Sequence, residues 1–310
     1  MRVPAKVNLF LAVRGVRGDG YHELVSIMQT VTLRDTVTAT MDGDPANLHP
    51  AMRRLLRVEF AHDGTAGVPS DADNLAVRAA HSMLAHLGAG TNNGVEPGNA
   101  LVTRLYLSKQ IPVAAGMAGG SADAAAALVA LNTLWDGGLD RDELRELAAS
   151  LGADVPFCVT GGTALATGTG TATAQVLCQG TFHWVVGMAA EPLSTPEVYR
   201  VFDEIGAPSE IEPDAVLQAL RTGDAEALGA ALHNYLEVAA FHLRPELRDA
   251  VTAFREAGAL GAVVSGSGPT VVALAEDANH AKRLLEATRG NFDRAEVAQS
   301  PAGGPQMTVR

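Results

Sequence analysis

Cysteine is scarce in this chain, and its scarcity excludes two kinds of protein. Only Cys158 and Cys178 occur among the 310 residues. Two cysteines cannot supply the disulfide framework of a small secreted domain, and their spacing is not that of a metal site. Sparse thiols are typical of the reducing cytosol, so the composition predicts a cytoplasmic protein.

Basic residues and long apolar runs are also few. The 23 Lys and Arg are outnumbered by 35 Asp and Glu, and the formal net charge of -12 repels nucleic acid and anionic membranes. The first apolar stretch, MRVPAKVNLFLAV, is too short for a membrane span and lacks the flanks of a signal peptide. We therefore expect neither a nucleic-acid nor a membrane partner. An anionic ligand would be bound locally, by backbone N–H groups, a few cations and a metal ion.

Core-forming residues, by contrast, are abundant. Apolar residues make up 47% of the sequence and charged residues 19%, as in globular proteins, and the length suits two domains of about 150 residues. Periodicity predicts strands at 7–13, 101–107, 184–188, 261–264 and 271–275, a hairpin or strand pair within 25–40, and helices at 73–87, 141–151, 213–221, 225–232, 245–257 and 278–288. Residues 41–72 and 301–310 are predicted to be irregular. This mixture favours an α+β fold, divided near residue 165 into domains 1–165 and 166–310.

A glycine-bearing loop runs directly into an alanine-rich helix between residues 112 and 135. Gly116, Gly119 and Gly120 can adopt φ > 0, and a helix that begins near Ser121 would direct unpaired N–H groups toward an anion. The loop has neither the Gly-Lys-Ser/Thr of a P-loop nor the glycine spacing of a dinucleotide fingerprint. The alternative is an ordinary tight turn with Ser121 as helix cap. The predicted phosphate-binding residues are Pro112, Val113, Ala114, Ala115, Gly116, Met117, Ala118, Gly119, Gly120, Ser121 and Ala122.

Three further clusters carry groups suited to chemistry. Lys6 and Asn8 share one face of the first strand, where a buried lysine needs a partner. Tyr21 and His22 follow a turn, from which side chains can reach a ligand. Asp154 precedes a helix that starts at a proline. The alternatives are ordinary surface or core positions for Tyr21 and His22, and a role for Asp154 as helix cap or dipole partner.

Taken in order, PAKVNLFL, GDGYHEL, PVAAGMAGGSADAA, LGADVPF and SGSGPT resemble the motifs of the GHMP kinase superfamily. The PAKVNL and DGYH pair resembles the branch that uses ATP to phosphorylate the 2-hydroxyl of a cytidine-diphosphate-linked methylerythritol in non-mevalonate isoprenoid synthesis. The matched segments lie between residues 3 and 270. The resemblance implies an N-terminal domain like ribosomal protein S5 domain 2, a ferredoxin-like C-terminal domain, and an active site between them.

The same resemblance assigns roles to individual residues. Lys6 and Asp154 match the catalytic pair, and the cofactors implied are ATP and Mg²⁺. The positions that match the site for the cytidine diphosphate portion are Asn8, Tyr21, His22, Thr195 and Tyr199. Those that match the surroundings of the adenine are Asn74 and Lys109.

Two loop residues depart from the usual family sequence GLGGGSSDAA. Ala118 replaces a glycine and is expected to keep φ < 0, because alanine tolerates positive φ poorly. Ala122 replaces a serine, which leaves Ser121 as the one loop hydroxyl and the candidate metal ligand. Two alternatives stay open: another small-molecule kinase such as a homoserine kinase, against which Tyr21 and His22 speak, and a catalytically silent binding protein. The oligomeric state does not follow from the sequence.

Overall fold

A computed structural model describes residues 1–42, 56–88, 101–189, 191–205 and 210–308. Part of the stretch predicted to be irregular, 43–55, lies outside these ranges. The strands are β1 Arg2–Val16, β2 His22–Met41, β3 Leu56–His62, β4 Leu101–Ser108, β5 Thr163–Gly168, β6 Ala172–Gln175, β7 Phe182–Met188, β8 His233–Asn234, β9 Gly261–Val264, β10 Val271–Ala275 and β11 Arg294–Ser300. The helices are α1 Leu75–His86, α2 Gly119–Leu134, α3 Arg141–Ala149, α4 Val155–Thr160, α5 Thr195–Ile205, α6 Asp214–Thr222, α7 Ala225–Ala231, α8 Glu237–Leu243, α9 Glu246–Glu256 and α10 Ala278–Thr288.

The larger sheet is built around β2. Its strand order is β3-β4-β2-β1-β8, and β5 also pairs with β2 and carries β6. At 20 residues β2 is long enough to pair with β5 near its start and with β4 near its end. The predicted hairpin within 25–40 is therefore wrong, because no Gly or Pro interrupts the alternation through Arg34 and Asp35. The predicted irregular stretch also contains one strand, β3.

The smaller sheet is antiparallel, in the order β11-β7-β10-β9. Its core includes Val185 and Val264 from the strands and Phe202, Phe254 and Leu284 from the helices. The chain changes sheet between β6, which ends at residue 175, and β7, which begins at residue 182. A division at residue 165 would cut β5, so we propose the later point as the domain boundary.

The alanine-rich helix α2 is buried against the larger sheet. Residues 122–128 along it are all buried, as expected for a helix that is apolar around its whole circumference. Small side chains let α2 pack closely against α1 and the sheet. At its end Trp135 is fully buried, and its Nε1 donates to Thr103 Oγ1 at 2.9 Å. The composition, rich in alanine and poor in aromatics, is consistent with this packing.

The segment after β11 is ordered, contrary to the prediction for 301–310 over its described part. Arg2 and Gln306 exchange two backbone hydrogen bonds of 2.8 Å, and Ala302 N–H donates to Thr30 O at 3.0 Å. A Cβ on Gly161 would lie 2.1 Å from Gly303 O. The segment therefore packs directly against the residues that end α4. Within the described ranges, no helix has the length and apolar character needed to cross a bilayer.

Candidate active site

Lys6 lies on β1, where the larger sheet meets the glycine loop. Its side chain is almost completely buried, and Nζ donates to Asn8 Oδ1 at 2.6 Å and to Gly116 O at 3.1 Å. Lys6 and Asn8 therefore lie on the same face of β1, as predicted. Asn8 in turn donates through Nδ2 to Ser26 Oγ at 2.8 Å on β2. This chain of hydrogen bonds fixes the ammonium group at the edge of the loop.

Asp154 supplies the carboxylate partner. Its Oδ2 lies 3.7 Å from Lys6 Nζ, and its side chain keeps one third of its surface exposed. Asp154 occupies the N-cap position of α4, yet its side chain accepts no hydrogen bond from that helix. Asp154 therefore does not cap the helix through a side-chain hydrogen bond, and the dipole-partner alternative is not tested by this geometry. The carboxylate faces Lys6 and has an open side on which a ligand can bind.

The glycine loop is held against a second turn, residues 265–268, from the SGSGPT segment. Gly116 has φ +75°, and a Cβ there would lie 2.0 Å from Ser265 O. Ser265 Oγ also donates to Gly116 O at 3.1 Å. The close approach requires glycine at 116, because any side chain would collide with backbone.

Helix α2 begins at Gly119, two residues before the position expected, and Ala118 is its N-cap. The expectation of φ < 0 at Ala118 is wrong, since its φ is +55°. The left-handed turn is what reverses the chain into α2, and alanine adopts it at a cost of about 1–2 kcal/mol. The N–H groups of residues 119–121 form no hydrogen bond with any described residue. They remain available to an anion at the positive end of the helix dipole.

A buried ion-pair triad lies beneath the loop. Lys109 Nζ contacts Asp35 Oδ2 and lies 2.8 Å from Asp123 Oδ2. Asp35 Oδ1 also accepts from the N–H groups of Gln110 and Ile111 at 2.6 and 2.8 Å. Burial opposes the charge on Lys109, yet the two carboxylates raise its pKa above the ordinary value. Burial raises the pKa of Asp123, because it disfavours the charged carboxylate. The triad ties the end of β4 and the start of α2 to β2.

A cavity of about 190 Å³ opens beside the loop. Its walls are formed by the start of α1, the loop and the triad, with Val68, Pro69, Asp73, Asn74, Leu75, Lys109, Val113, Ala114, Gly120 and Asp123 as lining residues. Asn74 caps α1 through a 2.9 Å bond from Ala76 N, and its Nδ2 donates to Pro69 O at 2.9 Å. Asn74 and Lys109 thus line one cavity, with their polar groups already engaged within the protein.

A second group of predicted residues meets at helix α5. The rings of His22 and Tyr199 lie 4.9 Å apart at 30°, and His22 Nε2 lies 2.7 Å from Asp203 Oδ1. Burial and the charge of Asp154 raise the pKa of Tyr199 to about 12, which places this ring within electrostatic reach of the catalytic candidate. Tyr21 stands apart, with 67% of its surface exposed.

Thr195, at the start of α5, connects this group to the turn at 265–268. Its Oγ1 lies 2.8 Å from Ser267 Oγ. The same turn contacts the glycine loop through Ser265, so it joins the two groups of predicted residues. The sequence pattern did not single out Asp203, Ser265, Asp35 or Asp123. Ser265 lies in the quoted SGSGPT motif, which was the available signal for it.

Comparison with known proteins decides the family. The family model described as "GHMP kinases N terminal domain" matches residues 74–162, and the model described as "GHMP kinases C terminal" matches residues 216–294. A relative from Thermobifida fusca, named 4-diphosphocytidyl-2-C-methyl-D-erythritol kinase, is 47% identical over 311 residues, covering all of this chain and 97% of the relative. The chain belongs to this kinase family. A family member from Streptomyces coelicolor is 45% identical, covering all of this chain and 98% of its own.

Solved structures agree with the assignment to the 4-diphosphocytidyl-2-C-methyl-D-erythritol kinase family. A crystal structure of 4-(cytidine 5'-diphospho)-2C-methyl-D-erythritol kinase matches with a TM-score of 0.76 and 34% identity, covering 99% of this chain and all of the other. A homoserine kinase from Cytophaga hutchinsonii matches with a TM-score of 0.69 at 20% identity, covering 97% of this chain and 95% of the other. The latter likeness shows the fold alone. The prediction of a two-domain GHMP kinase fold is confirmed.

Proposed function

We propose that this protein transfers the γ-phosphoryl group of ATP to the 2-hydroxyl of 4-diphosphocytidyl-2-C-methyl-D-erythritol, giving the 2-phosphate and ADP. The observation that carries the proposal is the Lys6–Asp154 pair, 3.7 Å apart at the edge of the glycine loop, in a chain of this family. The carboxylate can receive a proton, the ammonium can stabilise negative charge, and the loop offers free N–H groups. Phosphoryl transfer to an alcohol needs these three elements.

In the proposed mechanism the loop N–H groups hold the phosphates of ATP at the start of α2. Asp154 accepts the hydrogen bond of the substrate hydroxyl, orients its oxygen toward the γ-phosphorus, and receives the proton as the new bond forms. Lys6 keeps Asp154 in place and stabilises the charge that develops on the transferred group. The bond from Lys6 to Gly116 O couples this cation to the position of the loop.

The donor set of the loop is consistent with Mg²⁺ bound together with ATP. Within the described ranges, no group of three or more His, Cys, Asp or Glu could hold a metal ion. The half-buried hydroxyl of Ser121, in the first turn of α2, would be its protein ligand, with phosphate oxygens as the others. When bound, Mg²⁺ neutralises charge on the phosphates.

The residues around α5 would recognise the cytidine. Tyr199 and Tyr21 offer ring faces on which a base can stack, and His22 offers an imidazole for hydrogen bonds to the base edge. Asn8 and Thr195 would contribute polar contacts to the diphosphate portion. The adenine of ATP would enter the cavity lined by Asn74 and Lys109.

The test is an assay of ADP release with ATP, Mg²⁺ and the cytidylated alcohol, in the wild type and in Asp154→Asn. We expect kcat to fall by about 10²-fold or more in the variant, because positioned acid–base help is lost. Asp142→Asn, at a carboxylate that is 83% exposed, is the control and should keep wild-type turnover. Near wild-type turnover in Asp154→Asn would remove Asp154 from the mechanism. Activity of the wild type on homoserine or mevalonate, with none on the cytidylated alcohol, would refute the substrate assignment.

A further inference from the structure

One face of helix α5 forms a cradle for the imidazole of His22. Tyr199 and Asp203 are four residues apart, so they lie on the same face of the helix. The ring of Tyr199 covers the imidazole at 4.9 Å, and Phe202 meets it edge-on at 6.3 Å and 80°. Asp203 Oδ1 lies 2.7 Å from Nε2. Only 12% of the His22 side chain is exposed, so the ring has a fixed orientation.

The contact with Asp203 determines which ring nitrogen carries the proton. An ionised carboxylate only accepts hydrogen bonds, so Nε2 must carry the hydrogen. In a neutral imidazole Nδ1 is then a pure acceptor. Nδ1 makes no hydrogen bond with any residue that the structure describes, and it is available to a ligand.

The neighbouring charges on α5 do not compete for this carboxylate. Arg200 is paired with Glu197 at 2.7 Å and with Glu204 at 2.5 Å. Among the described residues Asp203 forms an ion pair with His22 alone. Asp203 is half exposed, with 49% of its side-chain surface accessible, so the effect of its loss should be moderate.

We propose that Asp203 is a positioning residue that holds His22 as the Nε2–H tautomer and thereby sets the preference for cytosine over uracil. This inference rests on the proposed function. Cytosine carries an amino donor at the ring position where uracil carries a carbonyl acceptor. An acceptor at Nδ1 pairs with the cytosine amino group and is repelled by the uracil oxygen. A proton on Nδ1 would reverse that preference.

The first experiment reads the tautomer directly. The ¹⁵N chemical shifts of the histidine ring nitrogens are recorded on the free protein at pH 8.5. The His22 signals are assigned by their loss in His22→Ala. We expect a protonated Nε2 in the wild type and in Glu204→Ala, and a mixture of tautomers in Asp203→Ala. A protonated Nδ1 in the wild type, or identical shifts in Asp203→Ala, would overturn the proposal.

The second experiment measures kcat/KM for the cytidine and uridine forms of the alcohol. In Asp203→Ala the ratio of the two should fall by about 3- to 10-fold, the range of a single hydrogen bond, with the KM for ATP unchanged. Glu204→Ala removes the same charge from the adjacent position and should leave the ratio unchanged. Adding Asp203→Ala to His22→Ala should have no further effect on it, because the carboxylate acts through the imidazole.

Two outcomes of the kinetic experiment contradict the proposal. One is an unchanged ratio in Asp203→Ala, and the other is an equal fall of the ratio with and without His22. If the protein phosphorylates neither nucleotide form, the proposed function fails and the claim about base preference fails with it. The ring-nitrogen shifts of the free protein then still decide whether Asp203 positions His22.

Discussion

Replacing Gly116 by alanine tests whether the contact between the glycine loop and the turn at 265–268 holds the site together. Two costs can be separated. The first is backbone strain, because Gly116 has φ +75° and alanine in that region costs about 1–2 kcal/mol. The second is steric, because the new Cβ would lie 2.0 Å from Ser265 O and 3.0 Å from Gly268 N.

To relieve the clash, the glycine loop must move away from the turn at 265–268. The steric cost is that of the hydrogen bonds which this movement would break. Gly116 O accepts from Lys6 Nζ and from Ser265 Oγ, both at 3.1 Å. Loss of one neutral and one charge-assisted hydrogen bond costs about 2–4 kcal/mol in total. We therefore expect Gly116→Ala to lower the free energy of unfolding by about 3–6 kcal/mol, the strain included. Displacement of Lys6 should also lower kcat/KM, by about 10- to 100-fold.

Gly138→Ala is the matched control for strain. Gly138 has φ +74°, and a Cβ there would meet no atom within 4 Å, so only the cost of about 1–2 kcal/mol applies. Both variants are compared with the wild type by urea unfolding at one temperature and by the ADP-release assay. An equal loss of stability in the two variants would refute the steric argument. Full activity in a stable Gly116→Ala would show that the loop and Lys6 are not coupled.

Three further predictions concern charge and base recognition. Burial raises the pKa of Glu237 from 4.5 to about 7. Between these pH values the folded state retains a proton that the unfolded state releases, so stability is lost as pH rises from 4.5 to 7. Glu237→Gln keeps an acceptor for Val264 N–H, and its free energy of unfolding in urea should exceed that of the wild type by about 3 kcal/mol at pH 8 and by almost nothing at pH 4. Equal gains at both pH values would contradict this cause. Lys109→Met leaves the buried Asp35 and Asp123 without their cation and should lower the free energy of unfolding by about 3–5 kcal/mol at pH 7.5. The loss should be smaller at pH 5, because protonation then removes charge from the buried carboxyl groups. A loss that does not depend on pH would assign the effect to packing. Tyr199→Ala should raise the KM for the cytidylated alcohol by about 5- to 150-fold and leave the KM for ATP unchanged, and equal changes in both would place the base elsewhere.

The proximity of Lys6 and Asn8 could be predicted because its signal is local. Lys6 and Asn8 are two residues apart on one strand, so alternation alone brings their side chains together. The pairing of Lys6 with Asp154 came from the resemblance of two separate motifs to a known family. Nothing in the spacing of these residues, 148 apart in the chain, would have shown it.

What the sequence did not reveal depends on tertiary contacts. Asp203 meets His22 across 181 residues, and its position on α5 differs in no local way from that of an ordinary surface carboxylate. The φ of Ala118 is imposed by the path from the loop into α2, which overrides the preference of alanine. The path of β2 was misjudged because the local pattern does not show that one continuous strand pairs with β5 near its start and with β4 near its end.

The pairing of Arg2 with Gln306 has a consequence for how the protein is made. A ribosome adds about 5–20 residues per second, so about 15–60 s separate the synthesis of these two partners. During that interval β1 lacks its backbone partner at Arg2, and Gly161 lacks the backbone of residues 303–304 that covers it in the finished protein. The edge of β1 near Arg2 is open to other chains meanwhile. Newly made chains should therefore acquire full resistance to proteolysis in the larger sheet only after residue 306 has left the ribosome.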